Sequence, residues 1–395
     1  MIGVVVPIDY LSIQSGAAQR IKADLAALVH SGYEVEVIFP SSASQPKNNL
    51  PSGLTLAIYR NSQRSKFLPE KIRLLFDMYT QMFNPFFRAA LQKRYRSYSV
   101  ILAHFPWSAV SSYSVVKKEV PLIYVAHDFE YGRVKQVTQI PLVCRLFYYV
   151  EKNACQRATK IMCVSEGDMN VLQKTYSIPK ERLTLLPNTV DVDLLNQTQE
   201  LYNKGIERQK LGLDSSAFIL LFHGRMDYGP NLDALNFTLN DMVPAVKSST
   251  CNIRLIVAGA RIPKWCLNRQ NEFVSFYSDV PDMRRFLAIA DAVIVPLSMG
   301  GGTRLKILES FAARVPVIST AKGAEGIDCD DGHHFLAAQR SADDFINKVT
   351  ILAGNKSLRQ KLISNAFNLV VQKYSIGVAS KRLQEVIMEA GSQVK

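Results

Sequence analysis

The stretch that decides the fold of the second half of this chain is VIVPLSMGGGTRLKILESFAARVPVIST, residues 293–320. It opens with a short β-branched run, which predicts a buried strand ending at Pro296. Gly300–Gly302 follow as a loop that can bring backbone close to a ligand. Apolar residues at helical spacing then predict a helix that begins at Thr303. This order predicts an anion site, because the N–H groups and the dipole of a helix start attract negative charge.

The charged residues of this helix point to a nucleotide. Arg304 and Lys306 lie in the first turn, where each basic side chain opposes the helix dipole by about 0.3–1 kcal/mol unless an anion offsets it. Glu309 lies in a segment otherwise built for burial, and the two hydroxyls of a ribose would satisfy it. The alternatives are a purely structural glycine turn and a Glu309 paired with an arginine. The segment is neither G-x-G-x-x-G nor a Walker loop, so neither a dinucleotide oxidoreductase nor an NTPase is favoured.

A second signal is FHGRMDYGPN, residues 222–231. A predicted strand ends in Gly224-Arg225, which places a guanidinium at the carboxyl end of that strand. Arginine suits bidentate contact with phosphate, although an exposed arginine without a ligand is the alternative. The nucleotide base would bind near Val280 and Asp282, a region that the sequence resolves poorly.

The first half of the chain carries its own candidate residues at strand ends. Ser15 and Gly16 open a helix directly after the first strand, which gives a second site of close backbone approach. His127-Asp128 follow a buried strand, at the end where reacting groups belong in parallel sheets. On position alone, His127 is either structural or catalytic. The D-x-D patterns at 191–193 and 328–330 lie in a strand–loop and an acidic turn, so we predict no metal site.

The alternation of short buried strands with helices predicts two doubly wound parallel α/β domains, with ligands in the cleft between them. We place the first, a Rossmann-like domain, at residues 1–200 and the second at 205–373, with a polar linker over 194–212. The predicted strands of the first domain are 3–8, 35–39, 99–102, 122–125, 160–164 and 183–186. Those of the second are 218–222, 255–258, 274–276, 292–296 and 316–320.

Composition and charge narrow the class of protein. The chain has 395 residues, 48% of them hydrophobic, which is ordinary for globular domains and excludes a disordered chain. Its six cysteines form no CxxC pair, so we expect neither a zinc site nor a disulfide framework. The N-terminus lacks a basic region ahead of its apolar run, and no window reaches the length of a membrane span. We therefore expect a cytoplasmic protein.

Part of the net charge of +13 is concentrated in one aromatic segment. Residues 60–98 carry basic side chains interleaved with large apolar ones, a pattern typical of interfacial helices on anionic lipid. The alternative is a pair of core helices with a solvated basic face. No nucleic-acid recognition motif accompanies the charge, so we predict no nucleic-acid partner. The basic residues are Arg60, Arg64, Lys66, Lys71, Arg73, Arg88, Lys93, Arg94 and Arg96.

Taken together, these segments resemble glycosyltransferase family 4, the retaining, GT-B-fold nucleotide-sugar transferases also described as group 1 glycosyl transferases. The resemblance covers nearly the whole chain. It rests on eight ordered segments: SGAA at 15–18, HD at 127–128, VSE at 164–166, PNTVD at 187–191, GR at 224–225, PN at 230–231, ADA at 290–292 and the segment 300–309.

The resemblance implies roles for these residues. The C-terminal domain would bind the donor, the N-terminal domain the acceptor, and a last helix over 375–391 would pack back on the first domain. His127, Arg225, Lys306 and Glu309 would be the catalytic residues, with His127 positioning the sugar or stabilising positive charge that develops on it. The expected donor-binding residues are Gly16, Gly224, Arg225, Gly300, Gly301, Gly302, Thr303, Arg304, Lys306 and Glu309. No metal and no cofactor besides the nucleotide-sugar donor are expected.

Two departures from the family keep other functions open. Gly301 stands where many members have a glutamate that contacts the transferred sugar, and Asn231 stands where the family has a phosphate-binding lysine. Lys306 or Arg304 would then replace that lysine. The expected activity is a metal-independent hexosyltransferase of EC class 2.4 acting on a glycan or lipid-linked acceptor in cell-surface polysaccharide or glycolipid assembly. The expected location is cytoplasmic or peripheral at the inner membrane face. The alternatives are a catalytically inactive scaffold and a sugar-nucleotide epimerase that would use Asp128 and Glu130.

Overall fold

The computed structural model describes residues 1–11, 15–41, 51–59, 76 and 78–393. Its contacts divide the chain into two compact units. The first comprises Met1–Asn188 together with Ile376–Lys395, and the second comprises Thr189–Ser375. Each unit has one parallel β-sheet with helices, which is the architecture predicted from the alternation of strands and helices.

Within the described residues, the sheet of the first unit has seven strands in the order β3-β2-β1-β4-β5-β6-β7. Strand β1 pairs in parallel with both β2 and β4, so the order of the sheet reverses between β1 and β4. Ligands of open α/β sheets bind beyond the carboxyl ends of the strands at such a point. The strands are β1 Ile2–Val5, β2 Val35–Pro40, β3 Leu54–Tyr59, β4 Val100–His104, β5 Leu122–Val125, β6 Lys160–Cys163 and β7 Leu183–Leu185.

The helices of the first unit cover both faces of this sheet. Successive strand residues alternate between the two apolar layers: Ile101 and Ala103 belong to one, Val100 and Leu102 to the other. Two helices begin at serine N-caps, Ser15 accepting from the N–H of Ala18 and Ser165 from that of Asp168. The helices are α1 Gly16–His30, α2 Pro85–Gln92, α3 Pro106–Val116, α4 Glu130–Val137, α5 Pro141–Arg157 and α6 Glu166–Tyr176.

The described part of the second unit has a six-stranded parallel sheet in the order β10-β9-β8-β11-β12-β13. Strand β8 pairs with both β9 and β11, so this sheet reverses its order between β8 and β11. One continuous apolar core occupies the unit. The strands are β8 Phe218–Arg225, β9 Ile253–Ala260, β10 Val274–Ser278, β11 Ala292–Val295, β12 Val317–Ser319 and β13 Leu336–Ala337.

The helices of the second unit include several short ones. The described helices are α7 Val192–Asn196, α8 Thr198–Leu201, α9 Lys204–Lys210, α10 Gly229–Phe237, α11 Val243–Ser248, α12 Lys264–Leu267, α13 Arg284–Ile289, α14 Leu305–Ala312, α15 Ala321–Ala324, α16 Ala342–Gly354 and α17 Lys356–Lys373. The last helix, α18 Ile376–Ser392, belongs to the first unit and packs on α1, as the resemblance implied.

The boundary between the units lies earlier than position 200, where the sequence analysis placed it. Residues from Thr189 onward contact the second unit: the N–H of Val190 donates to the carbonyl of Tyr374 at 2.9 Å, and Tyr202 donates to Asp282 at 2.9 Å. Residues 194–212, predicted as a polar, helix-prone linker, are largely helical and belong to the second unit. The buried Arg208 donates to the carbonyl of Ile289 at 2.7 Å, which fixes α9 to this unit.

The strands that the sequence analysis missed lie at the edges of the sheets. β3 borders only β2, and β13 borders only β12. Leu54 and Leu56 are half-buried and Thr55 is exposed, so β3 lacks the continuous buried run of a central strand. No helix in the described ranges is long and apolar enough to cross a bilayer.

Candidate active site

The two segments singled out in the second half lie at the point where the sheet of the second unit reverses its order. Gly224 and Arg225 end β8, and the glycine loop follows β11, the neighbouring strand. Gly300 packs on α10, because a Cβ atom at Gly300 would lie 3.3 Å from Cγ of Pro230. The sequence therefore brings the donor candidates of this unit to the edge where parallel sheets bind ligands.

The backbone of the glycine loop requires glycine at two of its three positions. Gly300 has a φ of 107° and Gly302 a φ of 70°, both in the left-handed region that other residues avoid. Gly301 has no such φ, and a Cβ atom there would meet nothing within 4 Å. The loop itself thus does not require glycine at position 301, and a side chain there would have room.

The helix after the loop begins later than predicted. α14 starts at Leu305, and not at Thr303, with Arg304 as its N-cap. Arg304 provides no side-chain cap for the helix start. Its guanidinium instead donates to the carbonyl of Gly302 at 2.9 Å. Arg304 therefore braces the loop, whereas Lys306 lies in the first turn of α14.

Lys306 is held by residues of β8 and α10. Its Nζ donates to Oδ1 of Asn231 at 2.8 Å and lies 4.8 Å from the centroid of the Phe222 ring. Asn231 in turn donates from Nδ2 to the carbonyl of Arg225 at 2.9 Å. A Cβ atom on Gly224 would lie 3.2 Å from Nζ of Lys306, so the glycine makes room for the ammonium group. Lys306, one of the two replacements left open by the sequence, contacts the side chain at position 231 itself.

Burial shifts the pKa values of both Lys306 and Glu309. Desolvation, with the positive charge of Arg304 nearby, lowers the pKa of Lys306 to about 7. Desolvation raises the pKa of Glu309 to about 7, although the charge of Lys306 opposes this shift. The Glu309 carboxylate makes no hydrogen bond to any described residue. The site thus holds a cation and a carboxyl group that a ligand of matching charge and hydroxyl pattern would stabilise.

Arg225 already has an anionic partner. Its Nη2 donates to Oδ2 of Asp227 at 2.9 Å, and Arg261 donates to the same oxygen at 3.1 Å. Nothing in the sequence analysis assigned a role to Asp227. This carboxylate orients Arg225 at the end of β8.

The predicted base-binding residues lie beyond the end of β10. Asp282 accepts hydrogen bonds from Tyr202 at 2.9 Å and from Nη2 of Arg284 at 2.7 Å. These contacts lower the pKa of Asp282 against the effect of its partial burial. Its side chain therefore shapes the loop, and Val280 is half-buried there.

In the first unit, His127 lies at the end of β5 beside the end of β4. Its Nε2 lies 3.0 Å from Nδ1 of His104, and its ring stacks on Phe105 with centroids 4.2 Å apart and planes 4° from parallel. Burial, together with the charges of His104 and Arg20, lowers the pKa of His127 well below its usual value. Gly16, predicted as donor-binding, is exposed at the start of α1 in this unit.

The two carboxyl groups that an epimerase would need both contact one arginine. Arg133 lies 3.5 Å from Asp128 and bonds to the buried Glu130. Burial and the negative charge of Glu130 raise the pKa of Asp128 well above its usual value. Glu151, which the sequence analysis missed, holds the start of α4 after this loop by accepting from the N–H groups of Glu130 and Tyr131 at 3.0 and 2.9 Å.

Other residues missed by the sequence analysis are recognisable only from tertiary contacts. His104 ends β4 and begins the HFPW segment at 104–107, and it is the fold that brings its ring to His127. Arg20 is buried inside α1 and bonds to the carbonyl of Leu186 at 2.8 Å. A Cβ atom on Gly259 would lie 1.9 Å from the carbonyl oxygen of Gly224, so β8 and β9 need a glycine there to stay paired.

Two family models match the chain on either side of the boundary between the units. Residues 15–194 match the model described as Glycosyltransferase Family 4, and residues 217–355 match Glycosyl transferases group 1. The chain belongs to glycosyltransferase family 4. The family predicted from the eight ordered segments is thereby confirmed.

Solved structures of this family's fold match nearly the whole chain. Sucrose-phosphate synthase from Thermosynechococcus elongatus superposes with a TM-score of 0.78 at 15% identity, covering 99% of each chain. Anabaena Alr3699/HepE in complex with UDP-glucose has a TM-score of 0.71 at 14% identity, over 98% of this chain and 99% of that one. At these identities the likeness shows the fold, and the predicted GT-B class is confirmed.

Curated relatives of this family 4 member are bacterial glycosyltransferases. A UDP-Gal:alpha-D-GlcNAc-diphosphoundecaprenol alpha-1,3-galactosyltransferase of Escherichia coli is 22% identical over 272 residues, 63% of this chain and 66% of the relative. A lipopolysaccharide 1,2-N-acetylglucosaminetransferase of Salmonella typhimurium is 29% identical over 196 residues, 45% of this chain and 50% of the relative. The chain thus matches less than two thirds of the length of these two relatives.

Proposed function

We propose that this protein transfers a sugar from a nucleoside-diphosphate sugar to a glycan or lipid-linked acceptor, in the assembly of a cell-surface polysaccharide or glycolipid. The observation that carries the proposal is the contact of Lys306 with Asn231. It puts a cation from the first turn of α14 at the position where the family has its phosphate-binding lysine. The names of the two relatives, a galactosyltransferase and an N-acetylglucosaminetransferase, support the class of acceptor.

The donor half of the proposal concerns the second unit. Lys306, Arg225 and the N-terminal end of α14 would neutralise the charge that develops on the diphosphate as it leaves the anomeric carbon. Glu309 would accept hydrogen bonds from the ribose hydroxyls, and backbone groups near Val280 would bind the base. Because these groups supply the positive charge, we propose that the transfer needs no metal ion and no cofactor besides the donor.

The acceptor half of the proposal concerns the first unit. His127 would hold the transferred sugar or stabilise the positive charge that develops on it. The low pKa of His127 keeps it neutral, so it is a poor proton acceptor at neutral pH. We therefore propose that the acceptor hydroxyl passes its proton to the departing diphosphate on the same face, with retention of configuration, as the family implies.

We further propose that the first unit binds an anionic membrane surface. Of the basic aromatic segment over 60–98, residues 60–75 and 77 lie outside the described residues. In the remainder, Tyr79, Phe83 and Phe86 are exposed by 55–60%. Arg94 and Arg96 pair with Glu36 and Glu119, so Arg88 and Lys93 are the better candidates for lipid contact.

A second helix adds to this surface, which we call the apolar face of α5. Leu142, Leu146 and Tyr149 lie at helical spacing and are exposed by 64%, 38% and 46%. The adjoining side of α5 packs inward through Val143, Phe147 and Val150, in a cluster that also contains Met78, so the helical residues 78–82 lie beside α5. An outward apolar stripe on a helix whose other side is already buried is typical of an interfacial helix. The exposed Arg145 lies beside the stripe, with its guanidinium 5.8 Å from the centroid of the Tyr149 ring.

Liposome flotation tests the membrane proposal. Vesicles with anionic lipid should carry the wild-type protein upward, and the double variant Leu142→Ser/Leu146→Ser should remain at the bottom. Leu194→Ser, at an equally exposed leucine of the second unit, is the matched control. Equal flotation of wild type and double variant would show that α5 makes no membrane contact, and no flotation of either would refute the membrane proposal.

A thermal-shift panel of nucleotides and nucleotide sugars tests the donor site. Uridine nucleotides come first, because the names of the galactosyltransferase and of the Alr3699/HepE complex include UDP-sugars. A ligand at about 100 times its Kd should add about 2.7 kcal/mol of stability, and Glu309→Ala and Arg225→Ala should each reduce the shift. Absence of any shift with any nucleotide would refute donor binding and favour the scaffold alternative. Free epimer formed without acceptor would favour the epimerase.

A further inference from the structure

Two histidines from neighbouring strands form a pair in the first unit. His104 is the last residue of β4, and its backbone lies opposite Val125, the last residue of β5. His127 follows two residues later. Nδ1 of the fully buried His104 lies 3.0 Å from Nε2 of His127, which is within hydrogen-bond distance. Each ring thus contributes one nitrogen to this contact. The other nitrogen of His127, Nδ1, makes no hydrogen bond to any described residue.

The ring of Phe105 stacks on the ring of His127, and the backbone of Phe105 is strained in this arrangement. Phe105 has φ 71° and ψ 150°, a conformation that is essentially restricted to glycine. A glycine would adopt it without strain, so the aromatic ring is what a phenylalanine adds at this position. The centroid of that ring lies 4.2 Å from the centroid of the His127 ring, and the two planes are nearly parallel. The Phe105 ring also stacks on Trp107. The strained residue and the stack together fix the orientation of the histidine pair.

The charges around the pair decide which nitrogen carries the shared proton. Burial and the positive charge of Arg20 keep both rings neutral, so one N–H and one lone pair meet between them. Nε2 of His104 is buried and has no hydrogen-bond partner in the described structure. Because the positive charge of Arg20 acts on His104, a proton on Nε2 would be an unpaired buried donor in a positive field, whereas a lone pair there is favoured by that field. The proton of His104 therefore belongs on Nδ1, where it is donated to His127.

We propose that His104 is a positioning residue that holds His127 as its Nδ1–H tautomer, so that His127 offers a hydrogen-bond donor to an oxygen of the substrate. The guanidinium of Arg20 bonds to Asp24, Leu186 and Asn188. Its positive charge favours the Nδ1–H tautomer of His104 and so the Nδ1–H tautomer of His127. The proposal rests on the proposed function for the identity of that substrate. It makes His127 a donor to a sugar or acceptor oxygen and excludes it as the base that takes a proton.

The tautomer can be measured without any substrate. Protein with ¹⁵N-labelled histidine is examined at neutral pH by two-bond ¹H–¹⁵N correlation, which distinguishes Nδ1–H, Nε2–H and imidazolium rings. The chain has six histidines, and loss of signals in His104→Asn and His127→Asn assigns the pair. We expect both rings as Nδ1–H tautomers. An Nε2–H or imidazolium pattern for His127 in the wild-type protein would overturn the proposal.

Transfer kinetics test the positioning role. His104→Asn keeps an amide N–H near the place of Nδ1 and should retain kcat within about threefold, whereas His104→Leu should lower kcat about 10–100-fold. Nucleotide Kd should be unchanged in both, and His30→Asn, at an exposed histidine of the same unit, is the control. Equal kcat in all variants would overturn the proposal, and if His104→Leu fails to fold, the wild-type tautomer decides it.

The failure of this proposal is distinguishable from failure of the proposed function. A wild-type protein that transfers sugar while His127 shows the Nε2–H pattern contradicts the positioning role alone. A protein that shows the expected tautomers but neither binds nor transfers any nucleotide sugar contradicts the proposed function alone.

Discussion

We predict that nucleotide affinity depends on pH through Lys306 and Glu309, and the structure indicates in which direction each residue changes that affinity. Both groups have a pKa of about 7, Lys306 lowered and Glu309 raised. A diphosphate favours the charged form of Lys306, so affinity falls as pH rises above 7 and the ammonium is lost. Ribose hydroxyls that donate to Glu309 favour its carboxylate, so affinity also falls as pH drops below 7. We therefore expect a bell-shaped profile centred near pH 7.

The size of the effect follows from the fraction of protein in which both groups are charged. With both pKa values at about 7, affinity should fall about threefold from pH 7 to 8 and about eightfold more from pH 8 to 9, with a mirror-image loss on the acid side. The total, about 2 kcal/mol over two pH units, is easily measured. The assay is calorimetric titration with a nucleotide sugar, because its diphosphate diester does not itself titrate in this range.

Two variants separate the limbs of the profile. Lys306→Arg keeps the charge at all these pH values and should abolish the loss above pH 7. Glu309→Gln keeps an acceptor oxygen without a titrating proton and should abolish the loss below pH 7. A flat profile in the wild type, or an unaltered profile in both variants, would refute the assignment of these residues to the donor site.

Three further predictions concern single side chains. Gly224→Ala should weaken nucleotide binding at least tenfold by calorimetry, because its Cβ would lie 3.1 Å from Nδ2 of Asn231 and 3.2 Å from Nζ of Lys306; binding at wild-type strength would show that this contact does not matter. Glu151→Gln should change the pH dependence of unfolding, since burial raises the pKa of Glu151 to about 7. Because the folded state holds the proton more tightly than the unfolded state, the free energy of unfolding of the wild type relative to the variant should fall as pH rises from about 4.5 to 7 and then stay level. A difference that stays constant with pH in denaturant titrations would contradict this. Ser165→Ala should lower the free energy of unfolding by about 1 kcal/mol through loss of the α6 N-cap without changing nucleotide affinity; an unchanged denaturation midpoint would mean that Ser165 does not stabilise α6.

Local sequence was enough to predict most elements and the family. Central strands such as Leu122–Val125 are continuous apolar runs because both of their faces are buried, and such runs are visible in the sequence. The edge strand Leu54–Tyr59 is half exposed and gave no such signal. Serine caps, glycine loops and strand-end charges are also local features, and they led to the prediction that Arg225, Lys306 and Glu309 share one site in the second domain.

Tertiary structure decided what those residues contact. Only the fold shows that Lys306 meets Asn231, that Arg225 is held by Asp227, and that α14 begins at Leu305, since each depends on elements distant in sequence. The contact between His104 and His127 also depends on the fold, because the rings can touch only where the ends of β4 and β5 lie side by side in register. The sequence by itself determined the chemistry available at each strand end, and the packing of the sheets determined which groups share a proton, a charge or a ligand.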